Sequence, residues 1–395
     1  MTETNEPSRS CGKETGDLNK RGGTETENGS SGSRELLKIP VNLPQAALTF
    51  DALAKRGLSE LAKTGLRIEG LPSLPGPTHG HCLLADDARE RVLLVGGWDN
   101  ENGELWAFDF DRWTWECLQT GRFRPDAIGH PSVVLDTHRS RIVWFGGWPA
   151  GDEKSPVDDL YVLDLNGAAP LEWQYVEHTH PWPASRNGAS LIFDARRDRC
   201  VLFGGDGGWS SCFLPRNDLW TLDLRTLTWE RHKPGLLMKG PTKRWLHAAA
   251  VDPVRDRMVL LEGAGYKRTG PWSLALDTLR WHPLELSGTA LPKMEGHAMV
   301  HDPNSDSMMI YGGLLLEGDG PSSMPYIWRL DLAPGETRRL DQPVDNLPAG
   351  RFCHDACFCK HRRALFVAGG KSNRAVGNYY KTEREHADAF LVYLD

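Results

Sequence analysis

The sequence has no apolar run approaching the roughly 18 residues that a membrane-spanning helix needs, so no membrane association is expected. Its first residues, MTETNEPSRSCGKETGDLNK, lack the apolar centre of a secretory signal. The eight cysteines are scattered and none forms a C-x-x-C pair, which argues for reduced thiols rather than a disulfide framework. A cytoplasmic or nuclear location is expected. Positive charge is not in excess either, since 46 Lys+Arg against 53 Asp+Glu leave a net charge of −7. Nucleic-acid recognition needs a concentrated cationic surface, so it is not expected here. No nucleophile–base pair and no phosphate-cradling glycine loop stands out.

Glycine (41), proline (26) and tryptophan (15) are abundant, which points to many short strands and tight turns. Residues 1–35 are rich in Thr, Glu, Ser, Gly and Asn and are expected to form a disordered tail. Residues 36–65 read as a linker with a short amphipathic helix. Ala47, Phe50, Ala54, Leu58 and Leu61 recur at helical spacing over 45–63, after Pro44.

From residue 66 to 395 one pattern repeats roughly every 50 to 60 residues. A double glycine closes an apolar run at Gly97, Gly147, Gly205, Gly313 and Gly370, and Glu262-Gly263 stands in the fourth copy. Ahead of each stands a histidine (His81, His130, His247, His297, His354), or Ala189 in the third copy. A D-x-x-x-x-R stretch between two apolar runs, as in Asp136 and Arg141, reads as a hairpin tip. After each double glycine come a loop of variable length and an aromatic that opens a third strand: Trp106, Tyr161, Trp220, Trp272, Trp328 and Phe390. A second tryptophan (Trp115, Trp173, Trp229, Trp281) marks a fourth strand in four copies. Four short strands, six times over, predict an all-β, six-bladed propeller. The last copy stops after its third strand, and Leu66-Arg67-Ile68-Glu69 is expected to supply the missing one and close the ring.

These features resemble the kelch repeat: the double glycine, the spaced aromatic and tryptophan, and P-x-x-R at Pro183/Arg186, Pro241/Arg244 and Pro348/Arg351. The resemblance covers residues 66–395. It implies a binding platform on which a peptide or protein segment is held by the face carrying the post-glycine loops, with Arg186, Arg244 and Arg351 at its rim. Features present in every copy serve the scaffold, so function is expected where copies differ. The differing loops contribute Trp98, Asp99, Trp148, Trp209, Tyr266, Lys267, Arg268, Lys371 and Arg374, an aromatic and cationic set suited to peptide recognition.

No cofactor is expected. Cys353, Cys357 and Cys359 are placed on one strand face and read as core packing rather than a zinc site. Glu383, Glu385, His386 and Asp388 read as a charged loop. They lack the E-x-x-x-D-x-x-x-H spacing of the iron-dependent specifier proteins of the kelch group. Because kelch propellers often act as ubiquitin-ligase substrate receptors, the resemblance also implies an adaptor as a partner. The alternative function is an enzyme with a metal or small ligand at the mouth of the central channel.

Overall fold

The computed structural model describes residues 66–394, apart from short segments at 77, 99–102, 126, 150–154, 209–212, 234–239, 266–269, 317–321, 341–347 and 377–378. The expected tail and the helix over 45–63 lie outside the described residues. Among the described residues there is no α-helix, only the single 3-10 turns Asp87–Arg89 and Ala195–Arg197.

Most strands form six sheets of the same four-stranded antiparallel plan, the fifth carrying Ser287–Gly288 as an added parallel outer strand; three smaller sheets of two or three strands complete the described residues. The first sheet contains His81–Asp86, Arg91–Gly96, Leu105–Asp109 and Thr114–Leu118, in chain order from the inside outwards. The second starts at Ser132–Asp136, the third at Ser190–Asp194, the fourth at Ala248–Asp252 and the fifth at Ala298–Asp302. In the sixth, Asp355–Cys359, Ala364–Ala368 and Ala389–Leu394 are followed on the outside by Leu66–Leu71. That strand comes from the start of the described chain and pairs Leu66 with Leu394 and Leu71 with Ala389. The innermost strands touch one another in cyclic order, first against second, through to sixth against first.

The second strand of each sheet is an unbroken apolar run because it is covered on both faces. Val92 and Leu93, Ile142 and Val143, and Met258, Val259 and Leu260 are all fully buried. The core is accordingly a series of clusters between neighbouring sheets. One of them joins Leu93, Leu105 and Leu84 of the first sheet to Ile142, Trp144 and Trp173 of the second. The third-strand aromatics Tyr161, Trp220, Trp272, Trp328 and Phe390 are all buried.

At one end of the sheets the D-x-x-x-x-R motif is a staple. Arg141 Nε donates to Asp136 at 3.0 Å, and Arg139 donates to Asp136 in its own sheet and to Asp198 in the next at 2.7 and 2.6 Å. Arg197 joins Asp194 to Asp256, and Arg255 joins Asp252 to Asp306, in the same way.

At the opposite end six backbone hydrogen bonds run head to tail. The N–H of Cys353 donates to Gly296, Gly296 to Leu246, Leu246 to Gly188, Gly188 to His130, His130 to Gly80, and Gly80 back to Cys353, at 2.8–3.0 Å. All six residues have φ between 49° and 65°, the left-handed region. Glycine alternates with a larger residue around this ring, for a steric reason. A Cβ on Gly80 would lie 2.9 Å from the His130 ring, one on Gly188 3.1 Å from Leu246, and one on Gly296 3.1 Å from the Cys353 sulfur. Each side chain thus occupies the space its neighbouring glycine leaves. His130 is therefore a ring residue. Pro131, not His130, stands where the other copies place the repeated histidine, one residue later than the spacing indicates.

Candidate functional site

The ring of hydrogen bonds lies at the end where the double-glycine loops emerge, and a second set of six contacts is built just outside it. In each copy the residue after the glycine pair meets the residue two before the repeated histidine position. Trp98 N–H donates to the His79 carbonyl at 3.0 Å, and Trp148 pairs with Gly129. Asp206 pairs with Asn187, Ala264 with Trp245, Leu314 with Glu295, and Lys371 with Phe352. The backbone is equivalent six times while the side chains are not. This end of the scaffold is a fixed frame for six dissimilar groups.

The aromatic groups concentrate over the first two sheets. The half-buried rings of Trp98 and Trp148 lie 6.5 Å apart at 45°. Trp98 stacks on His79 at 6.3 Å and meets His130 edge-on at 6.3 Å. Gly129 is what admits Trp98, since a Cβ there would lie 2.3 Å from the indole. Across the mouth, Phe213, 52% exposed, stacks on Trp245 at 5.0 Å and 16°, beside the exposed Leu214. Lys371 Nζ lies 5.2 Å above the Phe352 ring.

Among the described residues, charge at the mouth is uneven. Burial, and then the Lys371 ammonium, holds the His79 imidazole down to about 3, and burial holds His130 down to about 3. His79 also faces a Glu385 carboxylate at 3.6 Å. Desolvation raises the carboxyl of buried Asp206, although it accepts backbone N–H bonds from Gly208 and Leu214 at 3.1 and 2.5 Å. Beneath the mouth a cavity of about 130 Å³ runs between the inner strands, lined by His81, His247, His297 and His354 among others. These imidazoles are neutral near pH 7, since burial holds His81 and His297 down to about 4 and lowers the other two as well. His81 and His354 each pack against the first glycine of the preceding sheet, where a Cβ would lie 2.6 and 2.7 Å from their Cε1 atoms.

The three arginines of P-x-x-R do not line this surface. Arg186 and Arg351 have no exposure and Arg244 only 4%. Arg351 donates to the carbonyls of Ala349 and Gly369 and, with both terminal nitrogens, to Asp388 at 3.0 and 2.8 Å. Arg186 does the same with Ala184, Gly204 and Asp218, and Arg244 reaches the carbonyls of Thr242 and Glu262. Each clamps the start of a sheet to its own glycine turn. The aspartates that complete the clamp, Asp218 and Asp388, sit two residues before the third-strand aromatic.

Of the remaining sequence-derived surface residues, Trp98, Trp148 and Lys371 meet at the mouth. Asp99, Trp209, Tyr266, Lys267 and Arg268 lie outside the described residues. The backbone of Arg374 belongs to a hairpin of Lys371–Val376 and Tyr379–Glu385, where a loop was expected. His79, Trp245, Phe352, Phe213 and Leu214 were missed. Their signal is position, two residues ahead of the repeated histidine for the first three.

The two clusters with metal-like composition come apart. Cys353 is a ring residue packed with Leu314 and Phe352, whereas Cys357 and Cys359 belong to a different cluster with Phe366 and Ala364, so the three do not share a strand face. His386 is buried, Asp388 is held by Arg351, and Glu385 faces His79. Asp136, His138 and Asp198 are close enough to hold an ion, but Arg139 already bridges the two carboxylates and holds Asp198 down to about 2.

Among the described residues no helix is long and apolar enough to cross a membrane. Rat Kelch domain-containing protein 10 is 27% identical over 357 residues, 82% of this chain and 81% of that protein. Human host cell factor 1 is 28% identical over 330 residues, and Arabidopsis thaliana Acyl-CoA-binding domain-containing protein 4 is 28% identical over 250. Those matches take in 75% and 61% of this chain but only 15% and 35% of the relatives' own lengths. In fold alone, the solved structure of YjhT aligns with 82% of this chain and 97% of its own at a TM-score of 0.62 and 14% identity. The family model for the KLHDC2/KLHL20/DRC7 Kelch-repeats domain matches residues 66–263, half of the sequence, ending after the second strand of the fourth sheet. The chain belongs to this kelch-repeat family.

Proposed function

We propose that the six sheets are the blades of one ring closed by Leu66–Leu71, and that this ring is a non-enzymatic interaction module holding a peptide or protein segment over its mouth. Support for closure comes from the head-to-tail hydrogen bonds and the cyclic contacts of the inner strands. The observation that carries the binding reading is the set of six equivalent backbone positions filled by unlike side chains, with Trp98 and Trp148 half-exposed side by side. Rigid aromatic anchors over a concave, pre-formed surface lose little entropy on binding and supply most of the energy of a small interface. By their place in the sequence repeat, Asp99, Trp209, Tyr266, Lys267 and Arg268 are assigned the same binding role. The partner contacts then fall on Trp98, Trp148, Phe213, Trp245 and Lys371, and the buried arginines hold the frame.

The test is affinity capture from native lysate with wild type and a Trp98→Ala/Trp148→Ala variant, with near-UV circular dichroism to establish that the fold is intact. Partners lost selectively from a folded variant support the reading. An unchanged partner set overturns it.

A further inference from the structure

The staple end is not built alike at every seam between sheets. An arginine from each of five sheets crosses to the sheet that follows it, the sixth being followed by the first. Arg139, Arg197 and Arg255 reach Asp198, Asp256 and Asp306 across three of these seams. Beside them Arg141, Arg199 and Arg257 donate to the carbonyls of Leu224, Leu276 and Leu332, each just past the third strand of the next sheet. From the first sheet, Arg89 reaches the Leu165 carbonyl and Asn166 of the second. From the sixth, Arg362 reaches the Phe110 carbonyl of the first at 2.9 Å, and Lys360 Nζ lies 3.5 Å from Asp87.

The seam between the fifth and sixth sheets differs on both sides. The fifth carries Ser305 and Ser307 where the second carries Arg139 and Arg141, and the sixth carries Arg363 where the third carries Asp198. Ser305 Oγ turns to Asp302 and Ser307 of its own sheet, at 2.5 and 2.8 Å. Arg329 likewise stays within the fifth sheet, donating to Asp331 and to the Ser305 carbonyl. Among the described residues, the exposed Arg363 side chain makes no hydrogen bond or ion pair. What joins the two sheets is an apolar cluster that includes Met309, Tyr311, Ala356, Val367 and Phe390. At the mouth end the Cys353 N–H donates to Gly296, and the Asn373 N–H donates to Ser323 Oγ at 2.8 Å.

We infer that the ring opens here: the fifth and sixth sheets part at the staple end, pivoting about their joined mouth ends, and the sixth moves together with its Leu66–Leu71 strand. Arginine contacts across a seam must break before water can enter it, so a seam built without them opens more often. Lys371 and Leu314 stand on opposite sides of this seam close to the pivot, so the movement tilts groups at the mouth against each other. The inference rests on the reading of the ring as closed.

Two neighbouring methionines on Ser307–Tyr311 report the motion. Met308 is fully buried against the fourth sheet, and Met309, 1% exposed, is buried against the sixth. The test is oxidation of the full chain by dilute hydrogen peroxide near neutral pH, with the sulfoxide at each position resolved by tandem mass spectrometry. Met309 should oxidise about tenfold faster than Met308, as the arginine contacts missing from its seam imply. Ser305→Arg/Arg363→Asp restores the pattern of the other seams, and aspartate tolerates the left-handed φ of 53° at that position. That variant should bring Met309 to within about twofold of Met308 and leave Met308 unchanged. Equal rates at the two methionines in the wild-type chain overturn the inference, as does a Met309 rate that the double variant leaves unchanged. Maleimide labelling of Cys357, which packs between the sixth and first sheets, separates this from a failure of closure. If Cys357 reacts faster than Cys200, buried between the second and third sheets, the ring is open there and the inference falls with it. With Cys357 as slow as Cys200, equal methionine rates fault the inference alone.

Discussion

Arg351→Ala distinguishes a scaffold arginine from a ligand-binding one. The guanidinium has no solvent exposure and spends its donors on two carbonyls and one carboxylate. Breaking a buried pair by deleting one partner costs about 3–5 kcal/mol. Asp388 is 44% exposed, so water can take over its oxygens and the pair's share falls at the low end. The Gly369 carbonyl loses its buried partner and adds about 1 kcal/mol. The total is about 3–5 kcal/mol. For a domain of this size that corresponds to a melting temperature lower by about 4–7 °C. Differential scanning calorimetry reads it directly. Arg351→Lys keeps the charge without the fork and should recover only part of the loss. A variant that melts within about 2 °C of wild type yet loses its partner would refute the reasoning and return Arg351 to the ligand.

Acid should weaken the fold through the histidines that line the cavity between the inner strands. His81 and His297 protonate near 4 when folded and near their ordinary 6.5 when unfolded, so stability is full above that range and declines as pH falls through it. At pH 5 the loss is about 2 kcal/mol for each, seen as a lower urea midpoint than at pH 7.5, and His297→Gln should reduce the difference. An unchanged midpoint at pH 5 would contradict this. Gly129→Ala should push the Trp98 indole off its stack, costing about 1 kcal/mol of stability and shifting tryptophan emission. Partner affinity should fall about tenfold with it, and wild-type affinity would remove Trp98 from the proposed site.

The sequence revealed the repeat because the repeat is imposed by sterics. Third-strand aromatics and doubly covered apolar runs recur in every sheet, and glycine pairs in five of the six, for packing reasons, and such marks align without a structure. Even the pairing of Leu66–Leu71 with the last strand was legible, as an unpartnered strand before a repeat that lacked one. The P-x-x-R arginines misled because an arginine beside a rim looks the same whether it points out or in. What settles it is the aspartate two residues ahead of the third-strand aromatic, Asp218 for Arg186 and Asp388 for Arg351, across 32 and 37 residues. His130 and Cys353 misled for a different reason. A left-handed residue in the ring offsets the strand alternation, and periodicity cannot register a change of φ. His79, Trp245 and Phe352 carry no motif and became visible only when the chain returned alongside the residue after each glycine pair.

The alternation of glycine and side chain around the hydrogen-bonded ring is a parity rule. Around six positions, three residues lean over three glycines and every place is filled. With an odd number of positions, some pair of neighbours would be two glycines with a hole between them or two side chains in collision. In steric terms the repeating unit of the hydrogen-bonded ring is a pair of sheets, although the sequence repeats one at a time.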